Sequence, residues 1–226
     1  VTPTPGPQEK IEHTVRDVLA DGVFLCVRLG AGLPLIEACR VAVRGGLSVL
    51  EITLTTPGAL DAIATLAGDA GVVAGGGTVL TRDDARAVAD AGGRFALSPT
   101  FDPDVVEEAH RLGLLAVPGT ATATEILAAH RHGARLVKVF PAAALGGPAY
   151  LRAIRGPLPN IPLVPTNGIT ADTIRDYVSA GAVAVGVGGE VFPEGFTLEH
   201  VESAARRIRR AMDAARAIAS PARSAS

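Results

Sequence analysis

The chain has 226 residues, long for a single domain yet enough for one α/β barrel, a fold that starts at ~200 residues. A hydrophobic content of 48% supplies a large core. The lack of Trp, 4% aromatic residues and a formal net charge of −2 exclude base-stacking platforms and a basic nucleic-acid surface. No apolar stretch approaches the ~18 residues of a membrane span and no secretory signal is visible, so a soluble cytoplasmic protein without nucleic-acid or membrane partners is expected.

Residues 1–9, opening on the Pro- and Thr-rich Val1 to Pro7, are expected to form a disordered lead. From residue 10 to 217, β-branched runs alternate with Ala-rich segments every ~20–30 residues, the pattern of repeated βα units. Strands are predicted near 23–28, 48–53, 72–75, 94–97, 114–117, 135–140, 161–165 and 182–187. Helices are predicted near 34–44, 58–69, 82–91, 103–112, 123–132, 148–154, 171–180 and 198–217. Eight strands each followed by a helix favour a closed (β/α)8 TIM barrel as a single domain, with an open doubly wound sheet as the alternative. Asp102-Pro103 and Thr170-Ala171-Asp172 read as helix starts, and Gly113, Gly133 and Gly181 as helix stops. In the last helix Val201, Ala205, Ile208, Met212 and Ala215 form one apolar stripe. The basic run Arg206-Arg207-Ile208-Arg209-Arg210 is its solvated face. Residues 218–226 read as a frayed tail. Cys26, in a strand, and Cys39, in a helix, lack metal or redox spacing and read as small buried thiols of a reducing compartment.

Lys138 is the residue that departs from this pattern. It stands alone in the apolar run Leu136-Val137-Lys138-Val139-Phe140-Pro141. Hydrocarbon disfavours a charged amine, and a neutral amine condenses with ketones to form a Schiff base. The plain alternative is a strand-end lysine whose stem snorkels while its amine reaches water. Alternation puts Leu136, Lys138 and Phe140 on one strand face and Val137 and Val139 on the other, so Lys138 should point into the barrel. By the same rule Val49, Glu51 and Thr53 point inward, which would bring Glu51 to Lys138. Glu51 could also be no more than a salt-bridge partner.

Active sites of such barrels lie at the C-terminal strand ends, where Arg28, Thr78, Ser98, Thr166 and Asn167 also collect. Arg28 could clamp a substrate carboxylate or neutralise Glu51. Gly75-Gly76-Gly77-Thr78 reads as a tight turn that lets backbone and hydroxyl approach a ligand. Gly168, Gly188 and Gly189 fall in the usual phosphate-binding region of the fold. All five histidines, His13, His110, His130, His132 and His200, fall in predicted helices or at helix ends, away from those strand ends. The expected chemistry is therefore metal-free imine chemistry with no cofactor.

The segments Leu50-Glu51-Ile52-Thr53, Gly75-Gly76-Gly77-Thr78-Val79, Ser98-Pro99, Val117-Pro118-Gly119, Lys138-Val139-Phe140-Pro141 and Pro165-Thr166-Asn167-Gly168-Ile169 resemble, in order and spacing, those of the 2-keto-3-deoxy-6-phosphogluconate (KDPG) and 4-hydroxy-2-oxoglutarate (KHG) aldolases. The similarity spans roughly residues 10–215. It implies a class I aldolase on a (β/α)8 barrel, usually a homotrimer, that cleaves a 4-hydroxy-2-oxo acid to pyruvate and an aldehyde. By resemblance Lys138 is the Schiff-base lysine and Glu51 the general acid/base. The position four residues after the glutamate, often the carboxylate-binding arginine, is Thr55 here, and Arg28 takes that role beside Thr78. Pro99, Phe140, Thr55 and Thr166 are carried over as substrate-binding residues, and Gly168, Gly188 and Gly189 as phosphate-binding ones. Two departures bear on the phosphate. The family's Thr-Gly-Gly is Thr166-Asn167-Gly168, and a frequent serine is Gly189, followed directly by Glu190. Glu190 would repel a phosphate if it faced the pocket and not if it faced the helix layer. An unphosphorylated keto-deoxy sugar acid, a non-catalytic barrel and another phosphate-binding barrel enzyme remain the alternatives.

Overall fold

The computed structural model describes residues 5–219. Its strands are all parallel and close into a ring. One sheet runs in the order β5 (Leu115–Val117), β4 (Phe95–Leu97), β3 (Val73–Gly77), β2 (Val49–Thr53), β1 (Val23–Val27), β9 (Val185–Val187). A second runs β6 (Gly119–Thr120), β7 (Val137–Val139), β8 (Leu163–Pro165). The two join on one side through Pro118, which separates β5 from β6, and on the other through the bridge between Thr166 and Gly186. Pro118 has no N–H to give a ladder, but its carbonyl accepts the Lys138 N–H at 2.9 Å. The result is the expected eight-stranded (β/α)8 barrel, with its fifth strand interrupted.

The helical layer is α1 (Pro7–Asp21), α2 (Leu35–Arg44), α3 (Ala59–Leu66), α4 (Arg82–Asp90), α5 (Pro103–Arg111), α6 (Ala123–Arg131), α7 (Gly147–Arg155), α8 (Ala171–Ser179) and α9 (Leu198–Ala219). Local signals set several ends. Asp102 caps α5 by accepting the Asp104 N–H at 2.9 Å. Gly113, Gly133 and Gly181 follow their helices with φ of 79°, 98° and 96°, the left-handed turn that stops a helix. The predicted stripe of α9, from Val201 to Ala215, is buried.

Two expectations are corrected. The disordered lead does not extend to residue 9, because α1 begins at Pro7; residues 1–4 lie outside the described residues. Proline suits the first helical position, where no N–H is needed. Ile11, Val15 and Val18 then recur at helical spacing and pack with inward residues near the strand starts, including Phe24, Val49, Phe95 and Leu115. α1 thus closes the N-terminal mouth of the barrel. At the other end α9 continues to Ala219, and residues 220–226 of the expected tail lie outside the described residues. The second correction concerns Gly75, Gly76 and Gly77, which belong to strand β3 and not to a turn. A Cβ on Gly75 would lie 2.5 Å from the Phe95 ring, so glycine is needed there to thin the barrel wall.

Candidate active site

Strand alternation delivers Lys138 as expected. Val137 and Val139 pack in the layer between strands and helices, while Leu136 joins the barrel interior. Lys138, between the two valines, turns inward, and its carbonyl accepts the Thr120 hydroxyl at 2.8 Å. On β2, Leu50 and Ile52 meet the helices and Val49 faces the interior, so Glu51 turns inward as well. The Lys138 Nζ lies 3.6 Å from the Glu51 Oε1, and the two side chains are 6% and 2% exposed. That burial rules out the snorkelling alternative. The same Nζ is 5.3 Å from the centre of the Phe140 ring, within cation–π range. Glycine at 77 makes the pair possible, since a Cβ there would come within 2.5 Å of Glu51 Oε1.

Beside this pair the cavity has a cationic rim. Arg28 Nη2 donates to Thr78 Oγ1 at 3.3 Å, so arginine and hydroxyl converge on one spot, the arrangement that suits a carboxylate. Thr78 has φ of 58°, and Asn167 has φ of 85°. They are the non-glycine residues with positive φ among the described residues, and both line the cavity. A β-branched residue in this region is an outlier, and strain of this kind concentrates at functional sites. Asparagine adopts the left-handed region more readily than most residues, so Asn167 holds this turn at little cost.

The cavity holds about 500 Å³ and opens at the C-terminal strand ends. It gathers most of the residues the sequence proposed: Arg28, Glu51, Thr78, Pro99, Lys138, Phe140, Thr166, Gly168, Gly188 and Gly189. Ser98 is outside the lining, its hydroxyl donating to the Thr100 carbonyl at 2.5 Å, and so is Thr55. Thr55 is exposed beyond the end of β2, and its hydroxyl pairs with Thr53 Oγ1 at 3.1 Å within a cluster of threonine hydroxyls. Residues that reach the cavity without having been proposed for it include Cys26, Thr170 and Phe192. Cys26 was findable, since it alternates with Arg28 and pairs in register with Glu51. Burial, and then the neighbouring Glu51 carboxylate, pushes its thiol up to about 12, so it stays a neutral thiol at ordinary pH.

Glu190 lines the cavity just after β9. Its Oε2 accepts the N–H of Ala171, the first residue of α8, at 2.7 Å, and its Oε1 lies 2.7 Å from Arg207 Nη2. Both positions open to it at the sequence level are therefore combined: it lines the cavity and is tied to the helix layer.

A second cleft of about 440 Å³, lined by Lys10, His13 and Arg94, lies at the opposite, N-terminal end of the barrel. Arg94 is engaged there with Asp17 at 2.6 Å, and the cleft lacks a buried carboxylate–amine pair. The five histidines lie in or at the end of helices, outside the main cavity. Among the described residues, no three His, Cys, Asp or Glu side chains converge as a metal site.

Comparison with known proteins identifies the family of the chain. The family model described as "Aldolase: KDPG and KHG aldolase" matches residues 15–206. A 2-dehydro-3-deoxy-phosphogluconate aldolase of Pseudomonas aeruginosa is 39% identical over 158 residues, covering 70% of this chain and 70% of that one. A KHG/KDPG aldolase of Escherichia coli is 35% identical over 162 residues, covering 71% of this chain and 75% of that one. Among solved structures, KDPG aldolase from Legionella pneumophila with pyruvate captured as a covalent carbinolamine intermediate superposes with a TM-score of 0.73 at 28% identity. That match covers 89% of this chain and 97% of the other.

Proposed function

The chain belongs to the KDPG and KHG aldolase family of class I carbon–carbon lyases, and from that premise we propose that Lys138 is its Schiff-base amine and Glu51 its proton shuttle. Lys138 attacks the C2 ketone of a 4-hydroxy-2-oxo acid, and Glu51 is the nearest base to take the ammonium proton and to return one as the carbinolamine loses water. The iminium then acts as an electron sink. Glu51 removes the C4 hydroxyl proton, the C3–C4 bond breaks, and its electron pair moves into the enamine while the aldehyde leaves. Protonation at C3 and attack of water at C2 release pyruvate and regenerate the amine. Arg28 and Thr78 hold the pyruvyl carboxylate, and Pro99, Phe140 and Thr166 contact the rest of the substrate.

The observation that carries this reading is the 3.6 Å approach of two buried groups, one acid and one base, inside a cavity with a cationic rim. The covalent pyruvate carbinolamine of the Legionella relative supports the same chemistry here. The two family acids share the pyruvyl half. They differ beyond C4, where one ends in a phosphate ester and yields glyceraldehyde 3-phosphate, and the other yields glyoxylate. To test the mechanism, the protein is incubated with pyruvate and borohydride and then digested. The peptide containing Lys138 should gain the mass of a reduced pyruvyl adduct, and an unmodified peptide beside an active control enzyme would reject the mechanism.

A further inference from the structure

The distal end of the cavity is built differently from the end that takes the pyruvyl group. It is formed by Gly168, Ile169 and Thr170 after β8 and by Gly188, Gly189 and Glu190 after β9, next to the strand that leads into Arg28, and among these six the charged side chain is the Glu190 carboxylate. The cationic side chains that line the cavity are Arg28 and Lys138, each already engaged with Thr78 or Glu51.

A phosphate ester is normally held at such a place by free N–H groups at a helix N-terminus, helped by the helix dipole. Here the first amide of α8 is not free. Glu190 accepts it at 2.7 Å. Arg207 Nη2 lies 2.7 Å from the carboxylate Oε1 as an ion pair, without hydrogen-bond geometry, and His200 Nε2 meets the Glu190 backbone carbonyl at 2.9 Å, which fixes the backbone of the residue. The Glu190 side chain is only 12% exposed, so it cannot swing freely into solvent. Its counterion does not cancel it on the cavity side. Arg207 is 55% exposed, belongs to α9 and is not part of the lining, so its charge is screened by solvent. A phosphate dianion entering the distal end would meet a fixed negative charge that already uses the helix amide. A hydroxyl would instead find an acceptor.

We propose that Glu190 is a specificity-determining residue: it stands in for the phosphate at the α8 N-terminus, and the substrate is an unphosphorylated 2-oxo-3-deoxy sugar acid whose terminal hydroxyls donate to Glu190. This rests on the aldol reading of Lys138. The aldehyde released is then a free polyhydroxy aldehyde, and the reaction that supplies the substrate is the dehydration of an unphosphorylated aldonic acid.

The test compares kcat/KM for 2-oxo-3-deoxygluconate and its 6-phosphate in the full chain, in Glu190→Gln, which keeps an acceptor for the Ala171 amide, and in Arg207→Ala. The unmodified chain should favour the unphosphorylated acid at least tenfold. Glu190→Gln should raise kcat/KM for the phosphate ester at least tenfold relative to its partner, and Arg207→Ala, whose charge solvent already screens, should leave that ratio within about twofold. Preference of the unmodified chain for the phosphate ester would overturn the proposal, because backbone amides around Gly168 and Gly189 would then hold phosphate despite Glu190. A ratio that Glu190→Gln does not move would overturn it as well. Pyruvate trapping at Lys138 separates the two levels. If trapping succeeds while phosphate is preferred, only the specificity assignment falls; if trapping fails, the aldol reading falls first.

Discussion

Glu51 has one carboxylate oxygen 3.6 Å from the Lys138 amine, while the other, Oε2, is buried without a hydrogen-bond partner among the described residues. An unsatisfied buried carboxylate oxygen is costly, and a structural salt bridge gives no reason to leave it so. A substrate hydroxyl or the water lost from a carbinolamine would satisfy it. Replacing this group with an amide keeps the shape and removes the base. Glu51→Gln should therefore still trap pyruvate on Lys138 with borohydride but lose about 10²–10⁴ in turnover, the usual worth of a positioned general base. Unchanged turnover in a coupled pyruvate assay would take Glu51 out of the proton path. Lys138 and Glu51 could be picked out from sequence because each is a charged residue in an otherwise apolar strand. Glu190 could be flagged but not oriented, since its partners Ala171 and Arg207 come from two helices at different distances along the chain.

Among the elements, α4 and α5 are clipped together by one carboxylate. Glu108 on α5 accepts from Arg86 Nε of α4 at 2.7 Å and from Arg111 Nη2 and Nε at 2.7 and 2.9 Å. The Arg111 guanidinium, followed by that of Arg86, holds the Glu108 carboxyl at about 2, below its usual 4.5. The folded state thus releases this proton more readily than the unfolded chain. The stabilisation is complete above pH 4.5 and is lost as pH falls from there towards about 2. Thermal unfolding followed across that window should show a steeper loss for the unmodified protein than for Glu108→Gln. Parallel slopes would mean that the clip does not contribute. Element positions were largely legible, because apolar periodicity and caps such as Asp102 are local. The missed α1 shows the limit of composition, since a Pro- and Thr-rich opening masked the helical spacing of Ile11, Val15 and Val18.

At the scale of the whole molecule, the barrel is sealed at one end by α1 and open at the other, where the cavity lies. Among the described residues, no helix is long and apolar enough to cross a membrane. The family resemblance implies a homotrimer. Light scattering of the purified protein is expected to return three times the chain mass, and a single-chain mass at micromolar concentration would reject the trimer. The same measurement on Glu108→Gln would show whether the α4–α5 clip affects assembly or stability alone.

The order of strands and of the helices after α1, the inward direction of Lys138 and Glu51, and the class of chemistry were determined by the sequence, because period-two alternation, local caps and short motifs act within a few residues. Tertiary structure alone decided which distant groups meet. It folded the glycines of β3 into a wall thin enough for Glu51 and turned Thr55 out of the cavity. It also seated Glu190 on the first amide of α8. Those outcomes depend on how strands and helices pack side by side, which sets Glu51 against Gly77 of the neighbouring strand and Glu190 against the Ala171 amide, and no local pattern encodes such pairings.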